Sequence, residues 1–155
     1  MQTFLPYADF GQSAAVLDPL RLGKQRVEAM QIIRALTRPV YGWKHHPAVL
    51  MWQGYEEALG AYAVAICREW CRRGHADTCE VKILDDLAIA AVRVPPRNQC
   101  ELDAAEALPP WLGDDAVHRS HRSALLRKDP DWYSATFDDV PDDLPYVWPV
   151  RHVAP

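Results

Sequence analysis

Apolar residues in the middle of this chain recur at helical spacing. Ala48, Met51, Trp52, Tyr55, Leu59, Tyr62, Ile66 and Trp70 fall on one face, and the flanks of that stripe are also largely apolar. A helix apolar over so much of its circumference belongs at the centre of a core. The pattern predicts one long helix from Pro47 to about Gly74. Gly54 and Gly60 lower helix propensity inside it, which close approach by another element would explain.

Start and stop signals divide the rest. Asp9 with Gln12 has capping-box spacing and predicts a short helix to about Leu17. Asp18-Pro19 then places a capping carboxylate before a proline at the first helical position, predicting a helix to about Leu36 that Pro39 ends. Residues 81–92 fit either helix or strand by pattern, with helix preferred. Two proline pairs, 95–96 and 109–110, bracket an acidic, loop-rich connection. Asp114 caps a predicted helix through Lys128, and Asp129-Pro130 starts a last short one over 131–137. The tail from Asp138, with Pro141, Pro145 and Pro149 among apolar residues, is expected to lie extended over the body. The expected fold is therefore all-α: one compact domain over residues 1–155 around a long central helix, with a Pro-rich C-terminal tail.

Composition adds limits. With 49% apolar and 25% charged residues the chain reads as globular. No run approaches the roughly 20 apolar residues of a membrane span, and the start lacks the basic-then-apolar form of a signal peptide, so a cytoplasmic protein is expected. Cys67, Cys71, His75 and Cys79 recur every four residues, but Gly74 interrupts the helix between them. The expectation is buried thiols, no metal site and no cofactor.

The net charge of −4 argues at first against a nucleic-acid partner, but the charges are segregated. Residues 1–50 hold six Lys/Arg against three Asp/Glu, and residues 116–128 hold four Lys/Arg and no acid. Residues 77–115 and 129–155 are acidic. Folding can bring the two basic segments to one face, or leave the charges as ordinary solvated surface.

The second helix carries the sharpest chemistry. Arg21, Lys24, Gln25 and Glu28 share one face, and the same line continues into Ile32 and Leu36. A stripe that turns from charged to apolar places Glu28 at a junction between cleft and core, where an unpaired carboxylate is costly and often catalytic. The alternative is a structural ion pair of Glu28 with Lys24 or Arg21. In the helix from Asp114, His118, His121, Arg122 and Leu125 share a face that suits phosphate or base contact, or is simply polar surface. His46 precedes a helix start, where an anion is favoured, or else caps it.

Three blocks in order, LDPLRLGKQRVEAM, the stretch from His46 to Arg72-Arg73-Gly74, and HRSHRSALLRKDPDWY, resemble the pyrimidine-dimer DNA glycosylase family, the endonuclease V-like enzymes. Residues 80–110 and the tail are unmatched. The resemblance implies a helical fold acting on damaged or modified pyrimidines in duplex DNA, with Glu28 in the place of the family's catalytic glutamate. It also implies that the α-amine of the first residue is the nucleophile. An α-amine titrates at about 7.7–8.0, so a useful fraction is neutral near pH 7, unlike lysine. The family's glutamate stabilises charge on the sugar and manages proton transfers.

Two departures matter. The second residue is Gln, too large for ordinary removal of the initiator, so the amine belongs to Met1 and its long side chain must be housed. Val27 precedes Glu28, so phosphate-gripping arginine falls to Arg21 or Arg26. The expectation is a DNA N-glycosylase with Glu28 and Met1 catalytic, and Arg21, Lys24, Arg26, Arg122, His118 and His46 contacting DNA. Abasic-strand cleavage is the further step. The alternative is a non-catalytic helical module of the same fold that binds nucleic acid or a nucleotide.

Overall fold

Helix starts follow the capping signals. In the computed structural model, which describes residues 1–150, Asp9 accepts from the Gln12 N–H at 2.7 Å and opens α1 (Phe10–Val16). Asp18 accepts from the Arg21 N–H at 3.3 Å and, with Pro19, opens α2 (Pro19–Thr37). Among the described residues there are eight helices and no strand, as the all-helical reading requires. One continuous apolar core draws on all eight.

The helix expected over 47–74 is two helices, α3 (Pro47–Leu50) and α4 (Glu56–Arg72). Between them the chain turns through Gly54 at φ +87°, a conformation open mainly to glycine. The break turns Trp52 into the core, where it is fully buried and edge-on to Trp111 at 4.9 Å. Gly60 is the close approach. A Cβ there would meet Leu87 Cδ1 at 2.7 Å, so glycine lets α5 (Cys79–Ile89) lie against α4. α2 packs on both of these helices, and α1 packs on α4.

The ambiguous segment at 81–92 is thus mostly helical, in α5. The acidic connection holds a short helix, α6 (Gln99–Ala104), which Asn98 and Glu101 cap reciprocally. Asp114 caps α7 (Asp115–Lys128), and Asp129 caps α8 (Pro130–Tyr133), shorter than the expected 131–137. The tail runs without regular structure. It is tied to α7 where the N–H groups of Leu144 and Val147 donate to the hydroxyls of Ser123 and Ser120 at 3.0 and 3.2 Å.

The lead-in determines where the chain's first residue sits. Residues 2–6 are buried without helix or sheet partners, so their backbone groups must find side chains. The Phe4 N–H donates to Gln25 Oε1 at 2.7 Å and the Leu5 N–H to His121 Nδ1 at 2.9 Å. The Gln2 carbonyl accepts from Gln25 Nε2 at 2.8 Å, and the Pro6 carbonyl accepts from Arg122 at 2.9 Å. His118 Nδ1 lies 2.8 Å from the Leu5 carbonyl, and Trp52 Nε1 donates to Thr3 Oγ1 at 3.0 Å. Ordering backbone costs about 1–2 kcal/mol per residue, and this set of contacts together with the burial of Phe4 and Leu5 offsets it.

Candidate active site

On α2 the charged stripe divides as its pattern implies. Ile32 is fully buried, Gln25 is buried, Arg21 and Glu28 are half-buried, and Lys24 is exposed. Glu28 Oε2 accepts from Gln25 Nε2 at 2.8 Å. The structural ion pair weighed for Glu28 does not form among the described residues: Arg21 pairs with Asp18 at 3.2 Å instead, and Lys24 has no ion-pair partner there.

Gln25 joins this helix face to the lead-in. Its two amide hydrogens go to Gln2 O and Glu28 Oε2, and its oxygen accepts from Phe4 N and lies 2.6 Å from the Tyr62 hydroxyl. The bonds to Gln2 O, Glu28 and the Phe4 N–H settle the amide's orientation, and the single Tyr62 hydroxyl hydrogen has both Gln25 Oε1 and the Phe4 carbonyl (2.8 Å) as acceptors. The consequence is a cavity of about 290 Å³ whose wall includes Met1, Gln2, Arg21, Lys24 and Glu28. Lys128 from the end of α7 and Tyr146 from the tail complete its lip. Met1 and Glu28, both assigned through the family resemblance, therefore line one space.

The charge of Glu28 reaches further into the protein. Burial, and secondarily that charge, holds the Tyr62 hydroxyl well above its ordinary pKa. Burial likewise raises Tyr146, with Arg127 opposing and Glu28 adding to the effect. His46 is lowered by burial and next by the positive N-terminus, so its ring lies within electrostatic range of the Met1 amine. Its Nδ1 accepts from the Ala48 N–H at 3.0 Å and caps α3, so the capping alternative describes it.

Three other expected DNA contacts are engaged elsewhere. Arg26 donates to Asp77 at 2.6 Å and its guanidinium lies 4.4 Å over the Trp70 ring, outside the cavity wall. Arg122 is buried, holding the Pro6 carbonyl and Asp139. His118 is buried too. Its Nε2 accepts from the Gly113 N–H at 2.9 Å, so Nδ1 carries the proton donated to Leu5 O and the ring is neutral. Burial is the main cause lowering its pKa. These groups on α7 anchor the lead-in where the sequence suggested a DNA surface. The reason is geometric: α7 packs over an irregular buried segment whose carbonyls need donors.

The Asp129-Pro130 start serves the same end. Tyr133 is fully buried and its hydroxyl accepts from the Asp18 N–H at 2.8 Å, while Trp132 Nε1 donates to the Val16 carbonyl at 3.0 Å. The first contact fixes the beginning of α2 and the second the end of α1.

Sequence reasoning missed Lys128, Tyr146 and Gln2 in the cavity wall. Lys128 ends the basic 116–128 segment, so the charge pattern contained it. Tyr146 sits in the aperiodic tail, which gave no signal. The cysteines divide: Cys67 and Cys79 are buried while Cys71 and Cys100 are exposed, and burial pushes the Cys67 thiol far up. His75 stacks on Trp70 with ring centroids 4.0 Å apart. Among the described residues no helix is long and apolar enough to cross a membrane.

Met1 and Glu28 thus share one cavity with Arg21, Lys24 and Lys128 in its wall. The family profile of the pyrimidine dimer DNA glycosylases matches residues 1–83, more than half of the chain, and this chain belongs to that family. Its family is one of DNA-repair glycosylases, whose substrate is DNA. The matched part contains Met1, Gln25 and Glu28; Lys128 and Tyr146 lie beyond it. No curated protein and no solved structure matches this chain.

Proposed function

We propose that this chain, acting as a single domain, is a DNA N-glycosylase for dimerised pyrimidines in duplex DNA, using the Met1 α-amine as nucleophile and Glu28 as its acid/base carboxylate. The observation that carries this reading is that Met1 and Glu28 line the same cavity while no cation pairs with Glu28 among the described residues. At about 290 Å³ the cavity lies at the low end of ligand sites, which suits one extruded nucleotide better than a flat stretch of duplex.

In the proposed reaction the neutral amine gives its lone pair to the sugar C1′, and the glycosidic bond breaks with its electron pair leaving on the base. The amine nitrogen loses a proton, and the base, still joined to its neighbour through the cyclobutane ring, gains one. Opening of the C1′–O4′ bond then leaves an imine between the chain and the sugar, with a proton delivered to O4′. Glu28 offsets positive charge on the sugar and relays these protons. Elimination from the imine cleaves the abasic strand as the second step. Arg21, Lys24 and Lys128 surround the mouth and take the flanking phosphates.

The test is borohydride trapping on a duplex with one cyclobutane dimer. A covalent protein–DNA adduct mapping to the first residue is expected, with none on undamaged duplex. If neither adduct nor cleavage of a glycosidic bond occurs on the dimer duplex, the reading fails.

A further inference from the structure

In the connector between α2 and α3, Trp43 is 64% exposed, yet its backbone is left-handed at φ +68°. A bulky side chain is strained in that conformation, and burial of the indole does not offset the cost. Gly42, the neighbour that could turn this way freely, has no positive φ. The connector is nevertheless held firmly. The Trp43 carbonyl accepts from the His46 N–H at 2.9 Å, and Lys44 Nζ donates at 2.7 Å to the Ala35 carbonyl in the last turn of α2. The His46 ring meets the indole in a T-shaped contact, with centroids 5.9 Å apart. The indole is thus fixed in place with most of its surface in solvent.

A line of rings joins this platform to the candidate site. His46 meets Trp148 at 5.8 Å, Trp148 meets Tyr146 at 5.3 Å, and Tyr146 lines the cavity with Met1 and Glu28. The surroundings favour a polyanion. Residues 29–55 contain Arg34, Arg38 and Lys44 and no Asp or Glu, and the two arginines share a single carboxylate, Asp86.

We infer that Trp43 is a specificity-determining residue whose indole stacks on a base left poorly stacked by the lesion, beside the cavity. The inference rests on the glycosylase reading above, which supplies damaged duplex as the partner. In intact duplex each base is already stacked on both neighbours and offers an outside indole no free face. Where a lesion interrupts the stack, an aromatic platform already fixed in position gains the contact at little cost in ordering. Stacking releases no counterions, so it adds affinity without changing the dependence on salt.

Two variants separate this role from a structural one. Trp43→Gly removes the platform and relieves the left-handed backbone, and Trp43→Phe keeps a smaller ring. Affinity is measured by fluorescence anisotropy on a labelled duplex with one cyclobutane dimer and on the same duplex undamaged. Trp43→Gly should weaken binding to the dimer duplex about 5- to 150-fold, the range for losing one base–aromatic stack. Its binding to undamaged duplex should stay within about twofold of the parent, with the same salt slope and a urea midpoint no lower. Trp43→Phe should fall between the two. Equal losses on both duplexes, with or without a lowered urea midpoint, would make Trp43 a general or packing contact, and unchanged affinity for the dimer duplex would leave it no role; either overturns the inference. Parent protein with no preference for the dimer duplex overturns it as well. Preference without cleavage of a glycosidic bond overturns the glycosylase reading and leaves the stacking contact standing.

Discussion

Acidification should loosen the grip on the chain's first residues, and His121 allows the size of the effect to be worked out. Its Nδ1 accepts from the Leu5 N–H, so the single proton sits on Nε2, which is buried and without a partner. Protonating Nδ1 would destroy the Leu5 bond and place a charge in the core. Burial accordingly lowers the His121 pKa from 6.5 to about 3, with His118 adding to the shift. The folded value lies below the unfolded one, so the unfolded chain binds the extra proton throughout that window. Stability is then complete above pH 6.5 and falls as the pH drops toward 3. Between pH 7 and pH 5 one such histidine removes about 2 kcal/mol, at about 1.4 kcal/mol per pH unit well below 6.5. His118 and His46 are lowered too and act in the same direction. Glu69 and Asp77, both lowered, contribute stability above about 4.5 and 3.8 and lose it only at still lower pH, so this window belongs to the histidines. The assay is urea denaturation at pH 7 and pH 5 for the parent and for His121→Asn, whose amide oxygen can accept the Leu5 N–H without titrating. The parent should lose at least about 2 kcal/mol over that interval, and the variant should lose about 2 kcal/mol less. Identical pH dependence in the two proteins would refute the account.

Other outcomes follow from the same contacts. Glu28→Gln should reduce glycosidic-bond cleavage on the dimer duplex by about 10²- to 10⁴-fold while leaving urea stability and dimer-duplex affinity within a factor of two; undiminished turnover would remove Glu28 from the chemistry. Lys24→Ala and Lys128→Ala should each lower the slope of log affinity against log salt by about 1, measured by fluorescence anisotropy, whereas Arg26→Met should leave that slope unchanged because Arg26 is committed to Asp77. Gln25→Leu leaves the Phe4 N–H and the Gln2 carbonyl without their buried partners, for a loss of about 2–4 kcal/mol in urea denaturation; a loss below about 1 kcal/mol would show that water or a shifted lead-in replaces the bonds.

What the sequence made legible was local. Caps at Asp9, Asp18, Asp114 and Asp129 depend on a few adjacent residues, and each opens a helix in the structure. The stripe on α2 was readable because helical periodicity alone puts Gln25 and Glu28 on one face. The break at Gly54 was not. The apolar pattern runs straight through it, and only the positive φ, set by where Trp52 must pack, ends the helix. The face of α7 was misread for a related cause: histidine and arginine look alike in a sequence whether they meet phosphate or a buried carbonyl. Nothing in residues 115–128 announces that an irregular segment more than 100 positions earlier lies beneath them.

That misreading changes how the machinery is divided. The two residues proposed as catalytic, Met1 and Glu28, and Gln25, which bonds Glu28 to the Gln2 carbonyl, all come from residues 1–28, inside the part that matches the family. α7, outside it, contributes little that can touch a reacting atom, yet His118, His121 and Arg122 hold the backbone of Leu5 and Pro6. In the proposed reaction the Met1 amine is the nucleophile, and its placement depends on what grips the residues that follow. Here that grip comes from the other end of the sequence. Lys128 and Tyr146 ride on the same elements, α7 and the tail tied to it through Ser120 and Ser123, and line the cavity together with Met1. A substitution in α7 that relaxes this hold should therefore move the amine and the lip of the cavity together, lowering the rate of chemistry although the altered side chain never meets the DNA.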